Sequence, residues 1–140
     1  MVEPLVVDSV VIPASDLSWV AVRASGPGGQ NVNKVSSKVE LRFALATTSA
    51  LNEGVKRRIT TVARSRIDRD GVLLIVSQKT RDQQRNLEDA REKLAALVRS
   101  ALTPPPQRRA TRPTYGSKRR RLDDKRHVGE KKAARRGGGE

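Results

Sequence analysis

Three consecutive prolines divide this chain more sharply than any other feature of its sequence. Residues 103–107 are TPPPQ. Because proline lacks a backbone N–H and fixes its own φ, three in a row cannot continue a helix and favour an extended spacer. Regular apolar patterns precede this segment, whereas few apolar side chains follow it. We therefore predict a folded domain at 1–102, a proline-rich linker at 103–110 and a C-terminal tail at 111–140.

Period-two patterns predict the strands of the domain. Residues 5–12 are rich in valine and stop before a proline, and residues 19–24 alternate in polarity. Residues 38–43 place Val, Leu and Phe between Lys, Glu and Arg, which is typical of a strand with one buried and one charged face. Residues 72–76, VLLIV, form a continuous apolar run after an Asp-Gly turn, and this run predicts a central strand.

Two stretches have the three- and four-residue apolar spacing of helices. The first helix is predicted at 53–67 with Asn52 as its N-cap, and the second at 82–102. With the strands they predict an α+β fold, in which two helices pack on a small, largely antiparallel sheet. Aromatic residues make up only 2% of the chain, so the core must be aliphatic.

Composition excludes several classes of protein. The chain has no cysteine, which excludes a disulfide scaffold and cysteine zinc sites, and His127 alone cannot build a metal site. We expect neither a metal nor a cofactor. The N-terminus lacks the basic region of a signal peptide, and no apolar run approaches the roughly 20 residues of a membrane span. We therefore expect a cytoplasmic protein with no membrane contact.

The C-terminal residues carry most of the excess charge. The net charge of the chain is +14, and residues 103–140 contribute +9 through 13 Lys and Arg against 4 Asp and Glu. This segment has so little to bury that we expect the tail to be disordered off its partner, although helix formers behind Ser117, a candidate N-cap, would let it fold against one. Such a tail on a mildly basic domain is the usual arrangement for binding a polyanion.

The tripeptide Gly28-Gly29-Gln30 precedes the charged strand. Its glycines permit backbone angles closed to other residues, and none of the three side chains titrates near neutral pH. Such a loop can bring a backbone N–H to a developing negative charge and hold a water. The alternative is an ordinary hairpin loop, which the tripeptide alone favours. A phosphate-binding loop is excluded because its lysine and its following helix are missing.

A longer stretch, SGPGGQNVNKVSSKVELRF at 25–43, favours the functional interpretation. It strongly resembles the catalytic domain of class I peptide-chain release factors, above all the stand-alone ribosome-rescue peptidyl-tRNA hydrolases of the ArfB (YaeJ) family. The predicted first helix, QRNLEDAREKL at 84–94 and the Arg-Pro-Thr and arginine-cluster pattern at 111–125 extend the resemblance over nearly the whole chain. Pro27 and Asn31 depart from it, since Ala and His are common there in the family.

The resemblance implies a ribosome-dependent, codon-independent hydrolase. In this family the Gly-Gly-Gln loop enters the peptidyl transferase centre of the large subunit. There it promotes attack of water on the ester of P-site peptidyl-tRNA, on stalled ribosomes without mRNA in the A site. Gly28, Gly29 and Gln30 would be the catalytic residues, with the Gln30 N–H stabilising the transition state. By the same resemblance, the tail would enter the empty mRNA entry channel of the small subunit.

Basic residues beside the tripeptide and in the tail are the candidate RNA contacts, because Lys and Arg release counterions from RNA. Tyr115 joins them because its ring can stack on a base. For each residue alone a solvated side chain is an equal alternative, whereas the tail cluster as a whole favours a polyanion. The candidates are Lys34, Lys38, Arg42, Arg112, Tyr115, Lys118, Arg119, Arg120, Arg121, Lys125, Arg126, Lys131, Lys132, Arg135 and Arg136.

The expected partners are the ribosome, its rRNA and P-site peptidyl-tRNA, and the protein is expected to act as a monomer. The alternative function is that of a non-catalytic ribosome- or RNA-binding protein with a release-factor-like fold. The intact Gly28-Gly29-Gln30 tripeptide argues against this alternative, because a binding protein has no need of it.

Overall fold

A computed structural model describes residues 2–23 and 36–138. The contacts divide the chain into two units, Met1–Pro105 and Pro106–Glu140. The helices and strands are, in chain order, β1 (Leu5–Val7), β2 (Val10–Ile12), β3 (Leu17–Val22), β4 (Lys38–Phe43), α1 (Glu53–Val62), β5 (Leu73–Ser77), α2 (Gln83–Leu102) and α3 (Tyr115–Gly137). No helix in the described ranges is long and apolar enough to cross a membrane.

The valine-rich run near the N-terminus is a hairpin rather than the single strand that its composition predicts. β1 and β2 pair antiparallel, with Leu5 opposite Ile12. The chain reverses at Asp8, whose φ of 52° lies in the left-handed region that aspartate tolerates better than most residues. The hairpin buries Leu5, Val7 and Ile12 against the core.

The main sheet is antiparallel, in the order β3-β4-β5. Its inner face carries the buried residues Val39, Leu41 and Phe43 of β4, as the alternating pattern predicts. β4 is therefore the central strand, and the prediction that residues 72–76 form the central strand was wrong. The reason is that β5 turns Leu73 and Ile75 into the core while Val76 lies on the outer face, 37% exposed. A continuous apolar run does not distinguish this edge position from a central one.

One helix covers the inner face of the sheet and a second packs against that helix, in agreement with the predicted α+β fold. α2 contacts β4 and β5, and α1 contacts α2. Asn52 caps α1 as predicted, because its side chain accepts a hydrogen bond from the Val55 N–H at 2.9 Å. α1 ends at Val62, earlier than expected, and a single 3-10 turn follows. Ile67 packs against the core although it lies beyond the end of α1. The apolar spacing that predicted a longer helix therefore continues into residues that are not α-helical.

α2 has the bounds that its pattern predicts. Asp82 caps its N-terminus by accepting hydrogen bonds from Gln84 N and Arg85 N at 2.8 and 3.3 Å. At the other end, Arg58 of α1 donates through Nε to the carbonyl of Ala101 at 2.5 Å. The buried stripe of α2 consists of Asn86, Ala90, Leu94, Val98 and Ala101.

The second unit contains α3, a 23-residue helix that would be about 35 Å long. Thr114 caps it, because the Thr114 hydroxyl accepts from the Ser117 N–H at 3.2 Å. The predicted cap at Ser117 was therefore wrong by three residues. α3 has no buried residue. That this segment is disordered off the ribosome stays a prediction for the chain in solution.

Candidate functional site

The tripeptide Gly28-Gly29-Gln30 and Lys34 lie outside the described residues, and their roles stay predictions. The strands on either side show where this part of the chain leaves and re-enters the domain. β3 ends at Val22 and β4 begins at Lys38, and these two residues are paired partners in the antiparallel ladder. Their Cα atoms are therefore only about 5 Å apart. The connecting segment starts and returns at one end of the sheet, which we call the tip end.

Asn86 is fully buried beneath the tip end, at the head of an otherwise apolar stripe. Its Nδ2 donates to the carbonyl of Ser37, the residue before β4, at 2.6 Å. The same Nδ2 donates to the Thr80 carbonyl at 2.9 Å, and Oδ1 accepts from Thr80 N at 2.8 Å. Sequence reasoning missed this residue. The only signal was an amide side chain at a helical spacing of four from Ala90.

A second polar group lies at the same end of the sheet. Ser77, which pairs with Val39 in the ladder, donates from Oγ to Asp89 Oδ2 at 2.6 Å. Lys93 Nζ lies 2.6 Å from the same oxygen and Lys79 Nζ lies 3.9 Å from Oδ1. The hydrogen bond from Lys93, followed by that from Ser77, lowers the pKa of Asp89 below its usual value. Asp89 is therefore a structural anion and is not poised to transfer protons near neutral pH.

Lys38 and Arg42, predicted to contact RNA, lie on the outer face of β4. Arg42 is exposed, whereas Lys38 forms an ion pair with Glu40 at 3.3 Å. The two cations are four positions apart along the strand, or about 13 Å. The structure thus places both on one face, with Lys38 at the tip end and partly neutralised.

The tail candidates are almost all exposed. Tyr115 is 81% exposed at the start of α3, and Arg112 is exposed before the helix begins. α3 carries ten Lys and Arg against three acidic residues. Within this helix the described side chains form one contact between groups of opposite charge type, between His127 Nδ1 and Glu130 Oε2 at 3.9 Å. Its Lys and Arg side chains are therefore available to a polyanion.

Among the described residues, no cluster of His, Cys, Asp or Glu could hold a metal ion. An open cleft of about 630 Å³ lies between α1 and the turn at Gly71, and Lys56 and Arg57 line it. The N–H of Ala46 donates to the carbonyl of Gly71 in this turn. Ala46 comes soon after the last residue of β4, Phe43, so the cleft lies at the end of the sheet away from the tip end.

Comparison with known proteins identifies the family. A family model described as the RF-1 domain matches residues 6–135. The chain belongs to the RF-1 domain family. This confirms the resemblance drawn from residues 25–43, and the release-factor-like fold with it.

Three relatives show what this RF-1 domain protein is similar to. A peptidyl-tRNA hydrolase ArfB from Pseudomonas putida is 44% identical over 128 residues, which cover 91% of this chain and 93% of that protein. A large ribosomal subunit protein from Mus musculus is 41% identical, over 66% of this chain and 45% of its own length. A peptide chain release factor 1 from Bacteroides fragilis is 36% identical, over 64% of this chain and 20% of its own length.

Proposed function

We propose that the protein is a ribosome-dependent peptidyl-tRNA hydrolase that releases nascent peptides from stalled ribosomes lacking mRNA in the A site. The observation that carries this proposal is the near end-to-end similarity to the peptidyl-tRNA hydrolase ArfB of Pseudomonas putida. The relatives that match about two thirds of the chain, a ribosomal protein and a release factor, support action on the ribosome.

The proposed reaction needs no titrating group from the protein. Water attacks the ester carbonyl that joins the peptide to the terminal ribose of the P-site tRNA. Its oxygen forms the new carboxyl group, the bond to the ribose oxygen breaks, and a water proton ends on that oxygen. Gly28 and Gly29 supply the backbone angles that let the loop approach, and the Gln30 N–H stabilises the charge on the carbonyl oxygen. The Gln30 side chain positions the water.

The described geometry supports this assignment through the tip end. The paired residues Val22 and Lys38 fix both ends of the segment that carries the tripeptide. A catalytic loop requires such a fixed base, because displacement of a reacting group by about 1 Å can cost about 100-fold in rate. Lys34 and Arg42 are also proposed to contact rRNA, while Glu40 weakens the contribution of Lys38.

The tail supplies the choice of ribosome. We assign residues 1–102 to chemistry, 103–110 to a spacer and 111–140 to the empty mRNA entry channel of the small subunit. An eight-residue proline-rich spacer spans about 25 Å when extended. The unpaired cations of α3 would bind channel rRNA by releasing its counterions.

The protein is proposed to act as a monomer in the cytoplasm. Support for the monomer comes from the buried aliphatic cluster of the first unit, which closes within one chain. Sedimentation of the purified protein, alone and with 70S ribosomes, measures both its mass and its binding.

A peptide-release assay tests the catalytic proposal. Ribosomes are stalled on a message that ends in the P site and carry labelled peptidyl-tRNA. The wild-type chain should release the peptide, whereas Gly28→Ala and Gly29→Ala should bind the ribosomes but reduce release by at least 100-fold. Wild-type protein that binds without releasing peptide would favour the non-catalytic RNA-binding alternative instead.

A further inference from the structure

We infer that Asn86 is a positioning residue for the catalytic tripeptide, holding the chain where it enters β4. This inference rests on the proposed function, because it assigns Asn86 to the geometry of that site. Asn86 is 0% exposed and heads a stripe whose other members are Ala and aliphatic residues. Packing alone would favour another aliphatic side chain at this position.

Both ends of the Asn86 amide are hydrogen-bonded. Nδ2 donates to the carbonyls of Ser37 and Thr80, at 2.6 and 2.9 Å, which uses both of its N–H groups. Oδ1 accepts from the backbone N–H of Thr80 at 2.8 Å. The Thr80 hydroxyl lies 3.1 Å from Oδ1 and 3.0 Å from the Asp82 carbonyl, and these two acceptors share its single proton. The orientation of the amide is therefore determined, because a flipped amide would face two carbonyl oxygens with its own oxygen.

These bonds join segments that are far apart in sequence. Asn86 lies in the first turn of α2, Thr80 in the connection that precedes the helix, and Ser37 lies 49 residues earlier. Ser37 is seven residues after Gln30 and directly before β4. The opposite end of the segment is already fixed by pairing of β3 with β4. Asn86 thus ties the returning end to α2, the longest helix of the first unit.

Positioning by Asn86 can be distinguished from a general contribution to stability. Asn86 binds the backbone carbonyl of Ser37, so it fixes the path of the main chain there. A buried polar side chain at the opposite end of the sheet, Thr48, provides a control for stability alone. Thr48 is 2% exposed, donates from Oγ1 to Asp16 Oδ2 at 2.6 Å, and accepts from Ala50 N at 3.2 Å. Asp16 directly precedes β3, at the end away from the tip end.

The experiment compares Asn86→Asp and Asn86→Ala with Thr48→Val in the full-length protein. Asp keeps the shape of Asn but turns an oxygen toward the Ser37 and Thr80 carbonyls, and Ala removes every hydrogen bond of the amide while favouring the helix. At a temperature where circular dichroism shows each variant folded, both Asn86 variants should lower kcat for peptide release 10- to 100-fold. Ribosome affinity and KM should stay within two-fold. Thr48→Val should lower the melting temperature but leave kcat within two-fold.

Hydrogen–deuterium exchange of the free proteins gives a readout that does not depend on activity. The Asn86 variants should exchange faster in peptides that cover 36–40 and leave those covering 44–52 unchanged, with the reverse for Thr48→Val. A folded Asn86→Asp variant with wild-type kcat and exchange would overturn the inference. Equal kcat losses in Thr48→Val would also overturn it, by showing that activity follows stability alone. If the wild type releases no peptide, the proposed function fails, while exchange still decides whether Asn86 clamps Ser37.

Discussion

The two units of this chain contain helices of similar length that differ in what surrounds them. α2 has 20 residues and buries a continuous stripe from Asn86 to Ala101, whereas α3 has 23 residues and buries none. α2 is therefore held by the core of its own unit, since tertiary packing supplies most helix stability in proteins. α3 has no such packing and depends on helix propensity and its Thr114 cap. The contrast indicates that the first unit is a preformed scaffold, and it fits our proposal that the second unit binds a polyanion.

The strongest way to test this contrast is to truncate one leucine in each helix. Leu94 is 0% exposed and Leu122 is 60% exposed. We expect Leu94→Ala to lower the free energy of unfolding by about 2–5 kcal/mol, the usual cost of a buried cavity. Leu122→Ala should change it by less than about 0.5 kcal/mol. Urea titration of the full-length chain measures both, and a similar cost for Leu122→Ala would mean that α3 packs on a core after all.

A charge comparison sharpens the role of the tail. We expect replacement of Lys118, Arg119, Arg120 and Arg121 by Gln to weaken ribosome binding and to reduce the slope of log affinity against log salt by about 3. The matched control neutralises Arg57, Arg64, Arg66 and Arg69, four exposed arginines of the first unit. Binding titrations at several salt concentrations should show a smaller loss for the control set. Equal losses would mean that affinity follows net charge and not the tail.

The smallest expected effect concerns Asp89 and pH. Its pKa is lowered mainly by the hydrogen bond from Lys93, so it stabilises the fold at pH values above its unfolded pKa, near 3.8. That stabilisation is lost as the pH falls through the lower, folded pKa. Asp89→Asn should therefore lower the melting temperature at pH 7, and the difference should narrow below pH 3.8. Glu88→Gln, at an exposed site on the same helix, should show no such trend. If the difference in melting temperature does not vary with pH, it reflects the altered hydrogen bond with Ser77 and not the charge of Asp89.

Sequence patterns predicted the parts of the fold that local periodicity determines. The alternation at 38–43 identified β4 and its buried face, and Asn52 and the bounds of α2 were correct because caps and apolar spacing are local signals. The hairpin turn at Asp8 was missed because it requires an unusual backbone angle in a valine-rich run. The edge position of β5 was missed because strand order depends on pairing between distant segments.

The candidate site divides in the same way. The tripeptide and the tail cations were recognisable from composition and from their resemblance to a family. The Asn86 clamp was not, since its partner Ser37 is 49 residues away and an isolated asparagine in a helix has no distinctive pattern. The ion pair that partly neutralises Lys38 was also missed, although Glu40 lies only two residues away, because two residues on one strand face meet only once the strand has formed.

We propose that the first unit performs the chemistry and that the tail selects the ribosome. The most direct test measures single-turnover peptide release by the full chain and by residues 1–102, on ribosomes whose mRNA entry channel is empty or filled. Circular dichroism first establishes that the shortened chain keeps the melting temperature of the full one. We predict fast release by the full chain on empty-channel ribosomes only. Release by the shortened chain should be at least 100-fold slower than this rate on empty-channel and on filled-channel ribosomes. Release by the shortened chain at the full-length rate on empty-channel ribosomes would contradict this proposal.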